Sequence, residues 1–225
     1  CIFNDIVDKD LDKNVERTKE RPIASGKISV SEAFIYIVFL CLIAFLILLQ
    51  FNLLTIILGM SSMILAFVYP FMKRITYWPQ FFLGLTFNWG IIMGWTAITN
   101  SMSIEPLVLY LAAIFWTLGY DTIYGLQDVS DDEVIGVKST SMKFKNNVKV
   151  FVGTCYSLCV VFILILCLIM EIDKYILVLS VFFISSFIYQ LKIFKIDSPE
   201  SCLTAFKANN LTGIFIFVFI FSFIL

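Results

Sequence analysis

Residues 1–12 read CIFNDIVDKDLD, and residues 127–132 read QDVSDD. Each places several carboxylates beside a long apolar stretch. Asp5, Asp8 and Asp12 stand at i, i+3 and i+7, so a helix over residues 4–12 gathers them within about 60° at ~100° per residue, with Asp10 pointing away. Asp121, Asp128 and Asp132, at i, i+7 and i+11, fall within about 40° if the helix is continuous, and Asp131 lies beside them. Like charges at these spacings repel by a few tenths of a kcal/mol per pair in water, and more near lipid, so something positive must compensate. Carboxylates without His or Cys are hard ligands that suit Mg2+ or Ca2+. Of the two, Mg2+ prefers one or two carboxylates together with waters and phosphate oxygens.

Bases follow both clusters. Arg17 and Arg21 come after the first, Lys138 after the second, and Lys73 and Arg74 occupy a third polar loop. Acids that hold metal, beside cations, form a receptor for a phosphate-rich anion that neither set could neutralise alone. N-D-I-V-D at residues 4–8 and Q-D-V-S-D-D at residues 127–132 form a loose repeat. Two such half-sites could clamp one diphosphate through two metals. The bland alternative is a solvated loop between two spans. It fits Asp121 poorly, because that acid interrupts an otherwise apolar segment and intramembrane acids default to function. The chain has no histidine, which excludes Ser-His-Asp and Cys-His mechanisms and argues against a zinc site.

The elements that must position these residues are membrane helices. The 225-residue chain is 60% hydrophobic, carries 24 Phe and has 15% charged residues, far from the composition of soluble domains. Apolar runs long enough to cross about 30 Å of hydrocarbon predict seven spans, at about 31–50, 53–72, 80–99, 106–126, 148–170, 174–194 and 208–225. Gln50 and Asn52 mark the first turn. Solid apolar runs without period-two alternation exclude a membrane barrel, so the expected fold is an all-α transmembrane bundle. This span map puts 15 of the 16 Lys and Arg on one side, with Lys174 alone opposite, and 14 of the 17 acids on that same basic side. The bias predicts that the basic face, with both acidic clusters, lies in the cytoplasm or matrix. Cys41, Cys155, Cys159 and Cys167 fall inside spans as small packing residues. Gly90 and Gly94 form a GxxxG pair that predicts close helix packing, and Asn88 is a weaker cavity candidate. No signal-peptide pattern is present and the first residue is Cys1, so the chain reads as a piece whose beginning is missing.

Asn4 to Gly26, N-D-I-V-D-K-D-L-D-K-N-V-E-R-T-K-E-R-P-I-A-S-G, resembles the first Asp-rich signature of the UbiA superfamily of intramembrane prenyltransferases. Tyr120 to Ser141, Y-D-T-I-Y-G-L-Q-D-V-S-D-D-E-V-I-G-V-K-S-T-S, resembles the second. Y-P-F-M-K-R (Tyr69 to Arg74) and A-F-K-A-N-N (Ala205 to Asn210) are most similar to the 4-hydroxybenzoate polyprenyltransferase branch. No motif position departs from the pattern. The resemblance implies a nine-helix fold, so residues 1–225 would be a single prenyltransferase domain with seven of nine spans, lacking helix one and most of helix two. It implies transfer of a polyprenyl group from its diphosphate to the ring carbon ortho to the hydroxyl of 4-hydroxybenzoate, for ubiquinone biosynthesis. The implied metal is Mg2+, held by Asp5, Asp8, Asp12, Asp128, Asp131 and Asp132. Arg17, Arg21 and Lys138 take catalytic roles, and Asn4, Tyr69, Lys73, Arg74 and Tyr124 contact substrate. Asp121, partway into its helix, is the candidate for orienting or deprotonating the phenol. The expected partners are polyprenyl diphosphate, 4-hydroxybenzoate and the lipid bilayer, with no nucleic acid and no protein partner. The expected location is a bacterial inner membrane with the site facing the cytoplasm, or alternatively the mitochondrial inner membrane facing the matrix. Rival readings are a related enzyme acting on haem, homogentisate or dihydroxynaphthoate, and an ion transporter. Transporters favour midplane sites on broken helices, whereas these clusters lie at one face.

Overall fold

The computed structural model describes residues 1–173 and 175–224, and the side chains of residues 130, 131 and 224 are outside that description. Lys174, the one base assigned to the opposite face, and the side chain of Asp131 therefore lie outside the described residues. Among the described residues the chain is helical without strands, and seven segments are long and apolar enough to cross a membrane. They run Val30–Leu48, Leu53–Ile75, Pro79–Thr99, Ile104–Asp128, Val148–Ile169, Ile176–Ile193 and Pro199–Phe221. The last begins earlier than the apolar run indicates, because a polar helix leads into it.

Local chemistry sets the boundaries. Helix α1 (Ile2–Asp12) carries the first acidic cluster, as its spacing predicts. Helix α2 (Val30–Leu48) starts at a capping box in which Ser29 Oγ accepts from Glu32 N–H while the Glu32 carboxylate accepts from Ser29 N–H. Asn52 caps α3 (Leu53–Val68) and donates to the Thr96 carbonyl, tying two spans together at the far face. Pro70 turns α3 through a 3-10 segment into α4 (Met72–Ile75). The third span is two helices, α5 (Pro79–Phe87) and α6 (Gly90–Thr99). At their junction Asn88 donates to the carbonyls of Gly84 and Ala113 and to Thr117 Oγ1. A break in lipid needs such partners, so Asn88 serves the helix junction rather than a cavity.

Helix α7 (Ile104–Gly125) is the central post and packs most extensively on α10 (Val148–Ile169). Between them come a 3-10 turn at Leu126–Asp128, α8 (Val129–Ile135) and α9 (Thr140–Lys143). Helices α11 (Ser180–Ile193), α12 (Pro199–Lys207) and α13 (Asn209–Phe221) complete the bundle. One core gathers α7, α10, α11 and α13 around Phe183, Phe187 and Phe219. A smaller one gathers α3, α5, α6 and α7 around Ile92, Tyr110 and Ile114.

Lipid tails are as apolar as these side chains, so close packing and polar links must hold the helices together. A Cβ on Gly119 would stand 2.5 Å from the Tyr156 ring, and one on Gly84 would stand 3.2 Å from the Ile114 carbonyl. Those glycines make the close crossings. Gly90 and Gly94 do not: a Cβ on either meets nothing within 4 Å, so the GxxxG expectation fails among the described residues. The polar link is a buried chain in which Tyr156 Oη donates to Gln190 Oε1, Gln190 Nε2 donates to Thr212 Oγ1, and Ser186 Oγ bonds Thr212 Oγ1.

Candidate active site

Helix α1, the loop after it, the turn into α4 and the α7–α8 junction enclose a cavity of about 140 Å³. Asn4, Asp8, Asp12, Arg17, Arg21, Tyr69, Lys73, Asp128 and Asp132 all line it. The two acidic motifs thus face one space although more than a hundred residues separate them in sequence. Asp128 and Asp132 do not share a straight stripe with Asp121, because α7 ends at Gly125 and the chain tightens into the 3-10 turn.

One base crosses between the motifs, and the others hold the first. Arg17, from the loop after α1, grips Asp128 with both ends of its fork, Nε to Oδ1 at 2.9 Å and Nη2 to Oδ2 at 2.5 Å. Its remaining nitrogen, Nη1, donates to Tyr124 Oη, and the guanidinium lies 4.9 Å from that ring's centroid. This bidentate partner holds the Arg17 guanidinium above its ordinary pKa. Arg21 Nη1 bridges Asp5 Oδ1 and Asp12 Oδ2, at 3.0 Å to each. Lys73 Nζ stands 2.6 Å from Asp8 Oδ2 and Arg74 3.7 Å from Oδ1, while Arg74 also donates to the Val7 carbonyl. Asp8 is 1% exposed and its Oδ1 accepts no hydrogen bond. Burial pushes its carboxyl above the usual range, outweighing Lys73.

Five of the described sequence candidates do not line this cavity: Asp5, Arg74 and Tyr124 join it through Arg21, Asp8 and Arg17, and Lys138 and Asp121 sit apart. Lys138 donates to the Ile75 carbonyl and lies 5.7 Å from the Tyr77 ring centroid, at the rim. Asp121 is one turn deeper on α7, in the field of Arg17, and among the described residues it takes no hydrogen bond or ion pair. Asp121 in turn acts electrostatically on Tyr69, which lines both the polar cavity and an adjoining apolar one of about 820 Å³. That second cavity runs between α1, α2, α3 and α5 past Leu40, Met63, Phe67 and Phe87. Sequence reasoning missed the role of Phe206, whose ring packs 4.4 Å from Tyr124 and 5.8 Å from Tyr120. Its signal was available in A-F-K-A-N-N, which also supplies Asn209 as acceptor for Trp116 Nε1.

The donor set fits a hard cation. It is all oxygen, and Asp8 offers a buried carboxylate whose only close partner is the Lys73 ammonium, leaving Oδ1 without a hydrogen bond. Among the described residues no three carboxylates converge into a ready-made cage. That is the arrangement expected of Mg2+, which takes few protein ligands and completes its shell with phosphate and water.

Fold and cavity together define a class: a polytopic helical membrane protein whose acids and bases meet at one membrane face above an apolar chamber. The UbiA prenyltransferase family profile matches residues 1–221, and the chain belongs to that family. It is 48% identical over 154 residues to the mitochondrial 4-hydroxybenzoate polyprenyltransferase of Drosophila pseudoobscura pseudoobscura, covering 68% of this chain and 39% of that protein. The chain thus spans well under two thirds of that relative's length. It is 38% identical over 222 residues to the 4-hydroxybenzoate octaprenyltransferase of Francisella tularensis subsp. novicida (strain U112), covering 97% of this chain and 77% of the relative. A UbiA homolog from Archaeoglobus fulgidus, solved bound to GPP and Mg2+, shares the fold with a TM-score of 0.72 at 22% identity, over 99% of this chain and 81% of that one.

Proposed function

We propose that the protein transfers a polyprenyl group from polyprenyl diphosphate to the ring carbon ortho to the hydroxyl of 4-hydroxybenzoate, releasing diphosphate, in ubiquinone biosynthesis. The observation that carries this reading is the convergence of both acidic motifs with Arg17, Arg21 and Lys73 on one cavity that adjoins an apolar chamber. The names of the Drosophila and Francisella relatives support the acceptor, and the Archaeoglobus homolog supports Mg2+. Residues 1–225 belong to one prenyltransferase domain. The basic face, with both motifs, is the cytoplasmic or matrix side of an inner membrane.

Asp8, Asp12, Asp128 and Asp132, with Asn4 and Asp131, would hold Mg2+, and Asp5 supports them through Arg21. Bound Mg2+ supplies positive charge to the diphosphate as the allylic C–O bond breaks. Arg17, Arg21 and Lys73 trade carboxylate partners for diphosphate oxygens, so their charge stays neutralised throughout. Lys138, Arg74 and Tyr124 line the approach, with Tyr124 steering Arg17. The apolar chamber takes the isoprenoid tail and keeps water from the electrophilic carbon. Asp121 orients the phenol and takes its proton as the ring attacks; the proton on the substituted carbon then passes to the released diphosphate or water as aromaticity returns, and Asp121 gives its own proton back to the phenolate oxygen, so that one proton is released in all.

The test gives membranes bearing the protein labelled 4-hydroxybenzoate, polyprenyl diphosphate and Mg2+, with a chelator control. Prenylated acid that vanishes with chelator is the expected result. Prenylation of homogentisate or dihydroxynaphthoate instead would reassign the acceptor, and ion flux without product would favour a transporter.

A further inference from the structure

The second signature ends in Lys-Ser-Thr-Ser, residues 138–141, and the chemistry above gives a task only to the Lys138 side chain. The three hydroxyl residues are not solvated. Ser139 is 4% exposed and Thr140 and Ser141 are fully buried, as is Thr122 on α7. Thr140 N–H donates to the side-chain carbonyl of Gln80, itself buried in the first turn of α5, at 3.0 Å. Thr140 Oγ1 bonds Thr122 Oγ1 at 2.6 Å, and Ser141 Oγ donates to the Thr122 carbonyl at 2.7 Å. At the start of the segment, Lys138 N–H donates to the Lys73 carbonyl at 2.8 Å. The crossing is so close that a Cβ on Gly125 would stand 2.5 Å from Ser141 Oγ.

We propose that residues 138–141 form a clasp that fixes the separation of the two acidic motifs, with Gln80 and Thr140 as positioning residues. The path is continuous. Asp8 of the first motif is held by Lys73, whose backbone receives Lys138, while Thr140 and Ser141 grip α7 just before the turn that carries Asp128. The segment bearing Asp128 and Asp132 is therefore anchored at both ends, by α7 at its start and by the clasp at its close. Apolar side chains would fill this space without the cost of burying polar groups. A hydroxyl pair and an amide acceptor add direction, because an unmade bond in this environment is expensive and only one register satisfies all of them. Clasp and site are linked only if both motifs serve one diphosphate, so the catalytic meaning of the clasp rests on the function proposed above.

The test measures the gap directly. In a Cys1→Ser, Cys41→Ser background the remaining cysteines are buried. Spin labels are then introduced by Asp10→Cys and Val134→Cys, two exposed positions on α1 and α8. The inter-label distance distribution is recorded without metal, and binding of prenyl diphosphate with Mg2+ is measured separately. Thr140→Val and Gln80→Met should each broaden the distribution and weaken that binding about tenfold, the worth of one buried hydrogen bond, with kcat little changed. Thr140→Ser should restore both. Should Thr140→Val fail to fold, Ser141→Ala, which deletes only the bond to the Thr122 carbonyl, replaces it. Tyr156→Phe breaks an equally buried bond that joins α10 to α11 and is no part of the clasp, and it should leave the distribution narrow. An unchanged distribution in Thr140→Val and Gln80→Met, or equal broadening in Tyr156→Phe, overturns the clasp. Wild-type protein with a narrow gap but no prenylation would instead overturn the function and leave the clasp standing.

Discussion

Asp121 sits within a span, about two turns before Asp128, in the field of Arg17 but with no hydrogen bond or ion pair among the described residues. A carboxylate left unpaired at that depth is costly, and the cost is repaid if a phenol hydroxyl comes to lie against it. Asp121→Asn keeps the shape and removes the proton acceptor. Prenylation should fall by about 10²–10⁴-fold, the usual contribution of a positioned base, while binding of prenyl diphosphate with Mg2+ is nearly unchanged. Wild-type turnover in Asp121→Asn would remove Asp121 from the mechanism. Asp8 presents the opposite case, a paired acid whose burial still raises its carboxyl above the ordinary 3.8. Between 3.8 and that raised value the folded protein holds a proton that the unfolded chain has released. Asp8 therefore makes the metal-free protein more stable as pH falls through the raised value, and this contribution is lost as pH rises through it. Melting midpoints of wild type and Asp8→Asn, compared from about pH 7 to about pH 4, should diverge in that sense. Parallel curves would mean that Lys73 fully offsets the burial.

At the level of helices, glycine positions separate close crossings from open faces. Gly119→Ala drives a methyl into the Tyr156 ring and should cost about 1–3 kcal/mol. Gly94→Ala meets open space and should gain about 0.5–1 kcal/mol from the stiffer helix. Thermal midpoints of the two variants in the same detergent check the contrast, and equal effects would show that the α7–α10 contact is looser than its geometry. This difference marks what the sequence could reveal. Spans were legible because length and hydropathy decide whether a helix crosses lipid, and the α1 stripe was legible because i, i+3, i+7 spacing fixes a face. The GxxxG pattern misled because spacing says that a face is small, not that a helix lies against it. The turn after Gly125 was invisible for a related reason: no proline marks it, and the residue packed against Gly125 is Ser141, from a later segment. Pairing of Arg17 with Asp128 was likewise beyond reach, since bases cluster near both motifs and only tertiary placement selects the partner.

For the molecule as a whole, the consequence of these pairings is that the acids and bases of the site already neutralise one another. Arg17 holds Asp128, Arg21 holds Asp5 and Asp12, and Lys73 holds Asp8. Mg2+ arriving alone must pull acids from their bases and leave those cations partly desolvated, and removing one partner of such a pair is what makes breaking it expensive. Diphosphate arriving alone takes the bases and strands the acids. When both arrive, every charge changes partner and none is left over. The two ligands should therefore bind with strong positive coupling, about 5–150-fold in either direction, and linkage requires the factor to be the same for both. Calorimetric titration of a prenyl diphosphate with and without Mg2+, and of Mg2+ with and without the diphosphate, measures both factors. Arg17→Gln frees Asp128 and should shrink the coupling by making Mg2+ alone bind better while the diphosphate binds worse. Affinities independent of the other ligand in the wild-type protein would mean that the acids and bases do not exchange partners, and that the cavity meets metal and anion separately.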